Sequence, residues 1–218
     1  GQGAMPANER KPAVEPWRVF CRRPADDFCE SVFFTGNGTL GVRGFPAWQE
    51  KSHPQRHAIF RAGLFEPIKP GVTEMVQLPD VLTLLPSCRI PATFSQELLL
   101  LEGVVRHGFQ TDEADVWLER MVSMADSQLI CQRLTLTAKR AGSYSLRAVA
   151  DSRVVNLPVN DDQATLNLET VPLLLLEWLT ESGFALRTVS GAHHVEYRWE
   201  YTPSKPCERR ATLADGRC

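Results

Sequence analysis

The sequence predicts an all-β protein, a large antiparallel β-sandwich with few short helical turns. Three observations carry this expectation. Short apolar runs alternate residue by residue, as in Leu134-Thr135-Leu136-Thr137 and in Val195 to Tyr201, where every second side chain is apolar or aromatic. Fifteen prolines and fourteen glycines punctuate the chain at short intervals, the spacing expected of turns between many short strands. Helical periodicity is scarce, and only Ala25–Glu30 and Leu78–Leu82 invite a helical turn.

Taken in order, residues 5 to 16 (MPANERKPAVEP) are polar and proline-rich and read as a lead-in, with Gly1 to Ala4 a cloning remnant. A single sandwich domain then occupies 17–218. Strands are expected at Trp17–Cys21, Ser31–Thr35, Thr39–Arg43, His57–Ala62, Val72–Leu78, Thr83–Pro86, Glu97–Glu102 and Val104–Gln110. Further strands are expected at Val116–Val122, Gln128–Thr137, Tyr144–Ala150, Thr165–Val171, Leu173–Leu179, Phe184–Val189 and Val195–Tyr201. No internal repeat interrupts this order.

Composition narrows the function classes. With 43% hydrophobic and 23% charged residues, 218 residues can build a sizeable core. A net charge of −2, with Lys and Arg scattered rather than striped, argues against a nucleic-acid or acidic-membrane partner. The longest apolar run, Val171 to Leu179, is interrupted by Pro172 and Glu177 and is about half a membrane span. No apolar signal core precedes the domain, so a cytoplasmic location is expected. Cys21, Cys29, Cys88, Cys131, Cys207 and Cys218 form no CxxC pair, and buried free thiols are expected. No metal site is expected. Pro54 breaks the helix that would align His53 with His57, and the adjacent His193 and His194 would face opposite sides of a strand.

One stretch carries two competing short motifs. Gly36-Asn37-Gly38-Thr39-Leu40-Gly41-Val42-Arg43-Gly44 contains a dinucleotide-binding fingerprint and an Asn37-Gly38-Thr39 glycosylation sequon. A dinucleotide loop needs a helix opening at its third glycine. Val42, Gly44 and Pro46 oppose that helix. A hairpin fits better, with Asn37-Gly38 as the turn. Gly41 and Gly44 then mark bulges or a close approach by another backbone.

The same stretch, extended to Glu30-Ser31-Val32-Phe33-Phe34-Thr35 at its start, resembles the opening motif of glycoside hydrolase family 65. That family holds maltose, trehalose and kojibiose phosphorylases and acid trehalases. Three more segments follow in the family's order: Glu74 to Asp80, Leu100 to Arg106, and Glu119-Arg120-Met121-Val122-Ser123-Met124-Ala125-Asp126 with its continuation Gln132 to Thr137. The departures are Thr39 for a usual aromatic, Gln77 and Asp80 for two asparagines, and Val81 for a frequent tryptophan.

The resemblance implies an N-terminal super-sandwich, galactose-mutarotase-like, packed on a separate helical catalytic barrel that holds the general acid. This chain has no run of helical hairpins, and Ala211 to Gly216 looks like the approach to a last strand that is missing. The chain is therefore expected to lack catalytic residues and cofactors. Inorganic phosphate would be a co-substrate of the parent enzyme if that is a phosphorylase. The implied partners are the barrel and an α-linked disaccharide, and an uncovered edge would favour a homo-oligomer.

The residues themselves offer little chemistry. Inverting glycosidases need two carboxyl groups roughly 6.5–9.5 Å apart. The acids here cluster in turns, at Asp26-Asp27, Asp112 to Asp115 and Asp161-Asp162. Trp17, Trp48, Trp117, Trp178 and Trp199 could stack on sugar rings, although strand tryptophans mostly pack. Trp48, in the loop after the hairpin, and Arg43 are the candidates for a substrate rim, with internal packing and an internal carboxylate as their alternatives. Gly36, Asn37, Gly38, Gly41 and Gly44 are assigned a structural role. Two further readings are a free-standing carbohydrate-binding sandwich and, by fold analogy alone, a mutarotase-like enzyme using His107, His193 and Glu196.

Overall fold

Alternating side chains need a partner layer, and the chain supplies it with four antiparallel sheets. The computed structural model describes residues 16–24, 26–49, 57–156, 172–208 and 210–213. The largest sheet has the order β1-β7-β8-β9-β10, formed by β1 (Arg18–Arg23), β7 (Phe94–Leu99), β8 (Val104–Gln110), β9 (Ala114–Val122) and β10 (Ile130–Ala138). A second sheet runs β2-β3-β4-β5, from β2 (Thr35–Gly36), β3 (Leu40–Val42), β4 (Ile59–Lys69) and β5 (Val72–Leu78). The third is β12 (Leu174–Thr180), β13 (Gly183–Thr188) and β14 (His194–Arg198). The fourth pairs β6 (Thr83–Pro86) with β11 (Leu146–Val149).

Among the described residues, two large cores fill the sandwich, and a smaller cluster lies under α1. The larger lies between the four-stranded and three-stranded sheets and includes Val42, Phe45, Ile59, Val76, Leu78, Phe184, Leu186 and Val195. The other packs the inner face of the five-stranded sheet (Phe94, Phe109, Val116 and Leu118) against Leu84 of β6 and against Ala47 and Trp48. Each fully buried Phe or Leu contributes roughly 1.5–3 kcal/mol, so these clusters supply most of the driving force.

The strands expected at Val72–Leu78, Thr83–Pro86 and Val104–Gln110 are found with those bounds. Two expectations are corrected. Ser31–Thr35 is not a strand. A helix, α1 (Asp27–Val32), runs through its first two residues and leaves only Thr35 to the sheet. Asp26 caps this helix by accepting from the Cys29 backbone N–H at 2.8 Å. Cys29 and Phe33 are then buried against Leu98 and Val105, so packing overrides the β propensity of the segment. Leu78–Leu82 forms no helical turn, because β5 extends to Leu78 and the Asp80 carboxylate then accepts from the Leu82 N–H at 2.8 Å.

β4 also runs past the expected Ala62 to Lys69, with a register shift between Phe60 and Phe65. Gly63 sits inside that shift at φ +79°, a conformation only glycine adopts without strain. The strand expected at Thr165–Val171 lies outside the described residues.

Candidate functional site: a buried polar network beneath the glycine hairpin

The hairpin is real, and its turn is built by a side chain. Strands β2 and β3 pair Thr35 with Val42 and Gly36 with Gly41. Gly38 has φ +86°, but Asn37 does not share the positive φ expected of it. Asn37 instead accepts from the backbone N–H groups of Thr39 (2.9 Å) and Leu40 (2.8 Å) through Oδ1. Its Nδ2 donates to the carbonyls of Ser123 (2.7 Å) and Ser127 (3.2 Å). One amide therefore closes the turn and ties it to the β9–β10 connection, and this occupies the nitrogen that glycosylation would require.

The following glycines mark close approaches. A Cβ at Gly41 would collide with the Phe34 ring, and one at Gly44 with the backbone and Cβ of Phe33. The Gly44 N–H donates to the Glu30 carbonyl at 2.8 Å, so the end of α1 lies directly on the strand. Gly36 fails for a third reason, since a side chain there would meet the Leu40 carbonyl. The motif's spacing is thus a backbone-packing code.

Below the hairpin lies a set of buried polar groups. Arg120 on β9 is only 1% exposed. Its Nε donates to Gln132 Oε1 at 2.8 Å and its Nη1 to the Phe45 carbonyl at 3.0 Å. The guanidinium lies over the Phe45 ring, 4.2 Å from its centroid, and the opposite partner of that ring is His57, stacked at 4.2 Å and 11°. His57 Nδ1 is 2.8 Å from Asp80 Oδ2, which also accepts from the Thr83 hydroxyl at 2.7 Å. Gln132 returns to the same loop by donating to the Leu82 carbonyl at 2.8 Å. Arg120, Gln132, Leu82, Asp80, His57 and Phe45 thereby close a ring of contacts joining both sandwich cores.

Burial and neighbouring groups set the charge of Arg120 and Asp80 within this ring. Burial pulls the Arg120 guanidinium down to about 10, and the Asp80 and Glu30 charges oppose that, so it stays cationic at neutral pH. Burial pushes the Asp80 carboxyl up. The hydrogen bonds from His57, Thr83 and the Leu82 backbone, with the His57 charge, outweigh it and leave Asp80 below the ordinary carboxylate range. His107, alongside on β8, is pushed down to about 3 by burial and then by the Arg120 charge, with the Gly44 backbone acting weakly the other way. It is neutral throughout the physiological range.

A His–carboxylate pair such as His57–Asp80 is the geometry of an oriented general base. Here it is enclosed, with His57 fully buried and at φ +56°, and the surface grooves described below are lined by other residues. The pair fixes the loop after β5. Among the described residues no group of three His, Cys, Asp or Glu side chains could hold a metal ion. Cys21, Cys29, Cys88, Cys131 and Cys207 are free thiols.

The rim candidates sit as follows. Trp48 is 3% exposed and packs edge-on against Phe94, His107 and Phe109, inside the second core. Arg43 turns toward α1, with its Nη2 donating to the Ser31 hydroxyl at 2.9 Å and its Nε 3.7 Å from the Glu30 carboxylate. The mutarotase-type trio is spread over two sheets. His107 is buried in the five-stranded sheet, while Glu196 is paired with Arg198 on β14 and His193 precedes that strand.

Sequence reasoning missed Arg120, His57, Asp80 and Gln132 as one constellation. Strand phase held part of the signal. Ala114, Val116, Leu118 and Val122 face the core, and Arg120 falls in the same phase. A charged residue on the inward phase of a strand announces a buried network.

The described polar ring of this all-β sandwich is bonded within the domain itself. The glycosyl hydrolase family 65, N-terminal domain, matches residues 27–196, and the chain belongs to that family. A solved structure named "Putative kojibiose phosphorylase from human microbiome" has the same fold, with a TM-score of 0.60 and 16% identity over 81% of this chain. This chain spans 26% of that one. No curated protein matches. Among the described residues no helix is long and apolar enough to cross a membrane.

Proposed function

We propose that this chain is the non-catalytic N-terminal sandwich of a glycoside phosphorylase or hydrolase acting on α-linked disaccharides, scaffolding and rimming an (α/α) barrel encoded elsewhere in the same gene. The observation that carries this reading is that the motif residues are engaged within the domain itself. Asn37, Gly44, Asp80 and Arg120 all serve internal packing, which leaves no accessible acid–base pair among them. The length of the similar solved chain supports a missing catalytic part. Inorganic phosphate is a co-substrate of the barrel if the parent enzyme is a phosphorylase, and the protein acts in the cytoplasm. Edge strand β12, with Leu175 and Leu176 exposed, favours a homo-oligomer or contact with the barrel. The coding sequence adjoining this segment tests the reading. It is expected to encode several helical hairpins carrying a glutamate general acid, and an adjoining frame without them contradicts the proposal.

A further inference from the structure

The outward face of the five-stranded sheet carries two neighbouring rows of side chains with opposite habits. In the first row, register aligns Glu97, Arg106, Glu119 and Arg133 across β7, β8, β9 and β10. Arg18 reaches the same row from β1, and its Nη2 lies 2.7 Å from Glu97. Arg106 meets Glu119 at 2.7 Å, and Arg133 caps Glu119 from the other side. Hydrogen bonds from Arg133 first, with burial opposing and Arg106 adding, hold the Glu119 carboxyl below its ordinary range. This row satisfies itself.

The next row does not. It aligns Arg22, Ser95, Gly108 and Trp117 across β1, β7, β8 and β9. Among the described residues Arg22 has no ion pair, and the side chains of Ser95, Thr93 and Gln110 have no hydrogen-bond partner. These groups surround a groove of about 280 Å³ whose floor is Gly108 and Trp117. The indole fills the space that a side chain at Gly108 would occupy, and Trp117 remains partly exposed. A glycine beneath a tryptophan, on an otherwise paired sheet face, lays an aromatic surface at the bottom of an open polar groove.

We propose that this groove is a surface carbohydrate-binding site, in which Trp117 stacks against one pyranose ring and Arg22, Ser95 and Gln110 bond its hydroxyls. A pyranose has the matching chemistry, an apolar C–H face bordered by hydroxyls that act as donors and acceptors. An aromatic ring recognises the first, and a planar guanidinium with an amide and a hydroxyl recognises the second. The volume lies just under the usual range of ligand sites, roughly 300–1,000 Å³, and suits one sugar ring. All of the residues that line the groove belong to this chain.

Calorimetric and ligand-detected NMR titration of the 218-residue chain with maltotriose tests the proposal. Saturable binding is expected, weakened about tenfold by Trp117→Ala. Arg22→Ala, at an exposed side chain that leaves the thermal unfolding midpoint in place, is expected to weaken it several-fold. Arg133→Ala, in the self-paired row, should leave binding within about twofold. Inorganic phosphate at matched ionic strength should not compete. The proposal is overturned by the absence of saturable maltotriose binding, by binding that survives both Trp117→Ala and Arg22→Ala, or by a groove that takes phosphate and not sugar.

Discussion

Replacing Arg120 by alanine is expected to cost the domain about 3–5 kcal/mol of stability, the range for breaking a buried charge network by removing one partner. The guanidinium is the donor for Gln132 and for the Phe45 carbonyl, and it offers a cation to the Phe45 ring and to the nearby Asp80 and Glu30 charges. Alanine removes all of these and leaves a cavity between the two cores, while the acidic side chains stay buried. Urea denaturation of Arg120→Ala beside Arg133→Ala reads the difference directly. Arg133 is an arginine on the same sheet whose side chain is mostly in water, so its loss should change little. A cost for Arg120→Ala no larger than for Arg133→Ala would mean that the network does not organise the fold.

The second large effect is acid sensitivity. His107 ordinarily titrates near 6.5, and in the folded chain it is pushed down to about 3. Below about pH 6.5 the unfolded chain takes up a proton that the folded chain refuses, so stability falls as pH falls. The loss accumulates down to about pH 3 and totals on the order of 5 kcal/mol. Asp80 adds to it only at lower pH, because its depressed folded value contributes stability that is present above the ordinary carboxylate range and lost on acidification through the folded value. Denaturation midpoints at pH 7 and pH 4.5 should therefore diverge in the unaltered chain and converge in His107→Leu. Equal pH dependence in both proteins would remove His107 as the cause.

What the sequence disclosed, and what it hid, follows from the range of the interactions. Strands β5, β6 and β8 were legible because alternation and turn residues are local signals. The hairpin was legible for the same reason, although Asn37 shapes it by its side chain rather than by a positive φ. The α1 segment was only half legible. Ser31-Val32-Phe33-Phe34-Thr35 prefers a strand in isolation, and what overrules it is the burial of Cys29 and Phe33 against β7 and β8, about 70 residues away in sequence. The polar ring was hidden altogether. His57 and Asp80 are joined at a separation of 23 residues, and Arg120 and Phe45 at 75, and no spacing rule connects them. The resemblance to family 65 places Asp80 and Arg120 in motifs, and the family match over residues 27–196 agrees with it, but neither assigns them a physical task.

For Gly44, Asn37, Arg120 and Asp80 that task is structural. Gly44 lets α1 rest on β3's exit, Asn37 locks the hairpin to the β9–β10 turn, and Arg120 with Asp80 ties the loops between the cores. A motif of an enzyme family can thus serve the packing of its own domain. The measurement that tests this most directly is an activity assay of the unaltered 218-residue chain on maltose, trehalose and kojibiose, with and without inorganic phosphate. No release of glucose or glucose 1-phosphate is expected above the buffer rate. Turnover that scales with the folded protein through successive purification steps and disappears on unfolding would contradict the account.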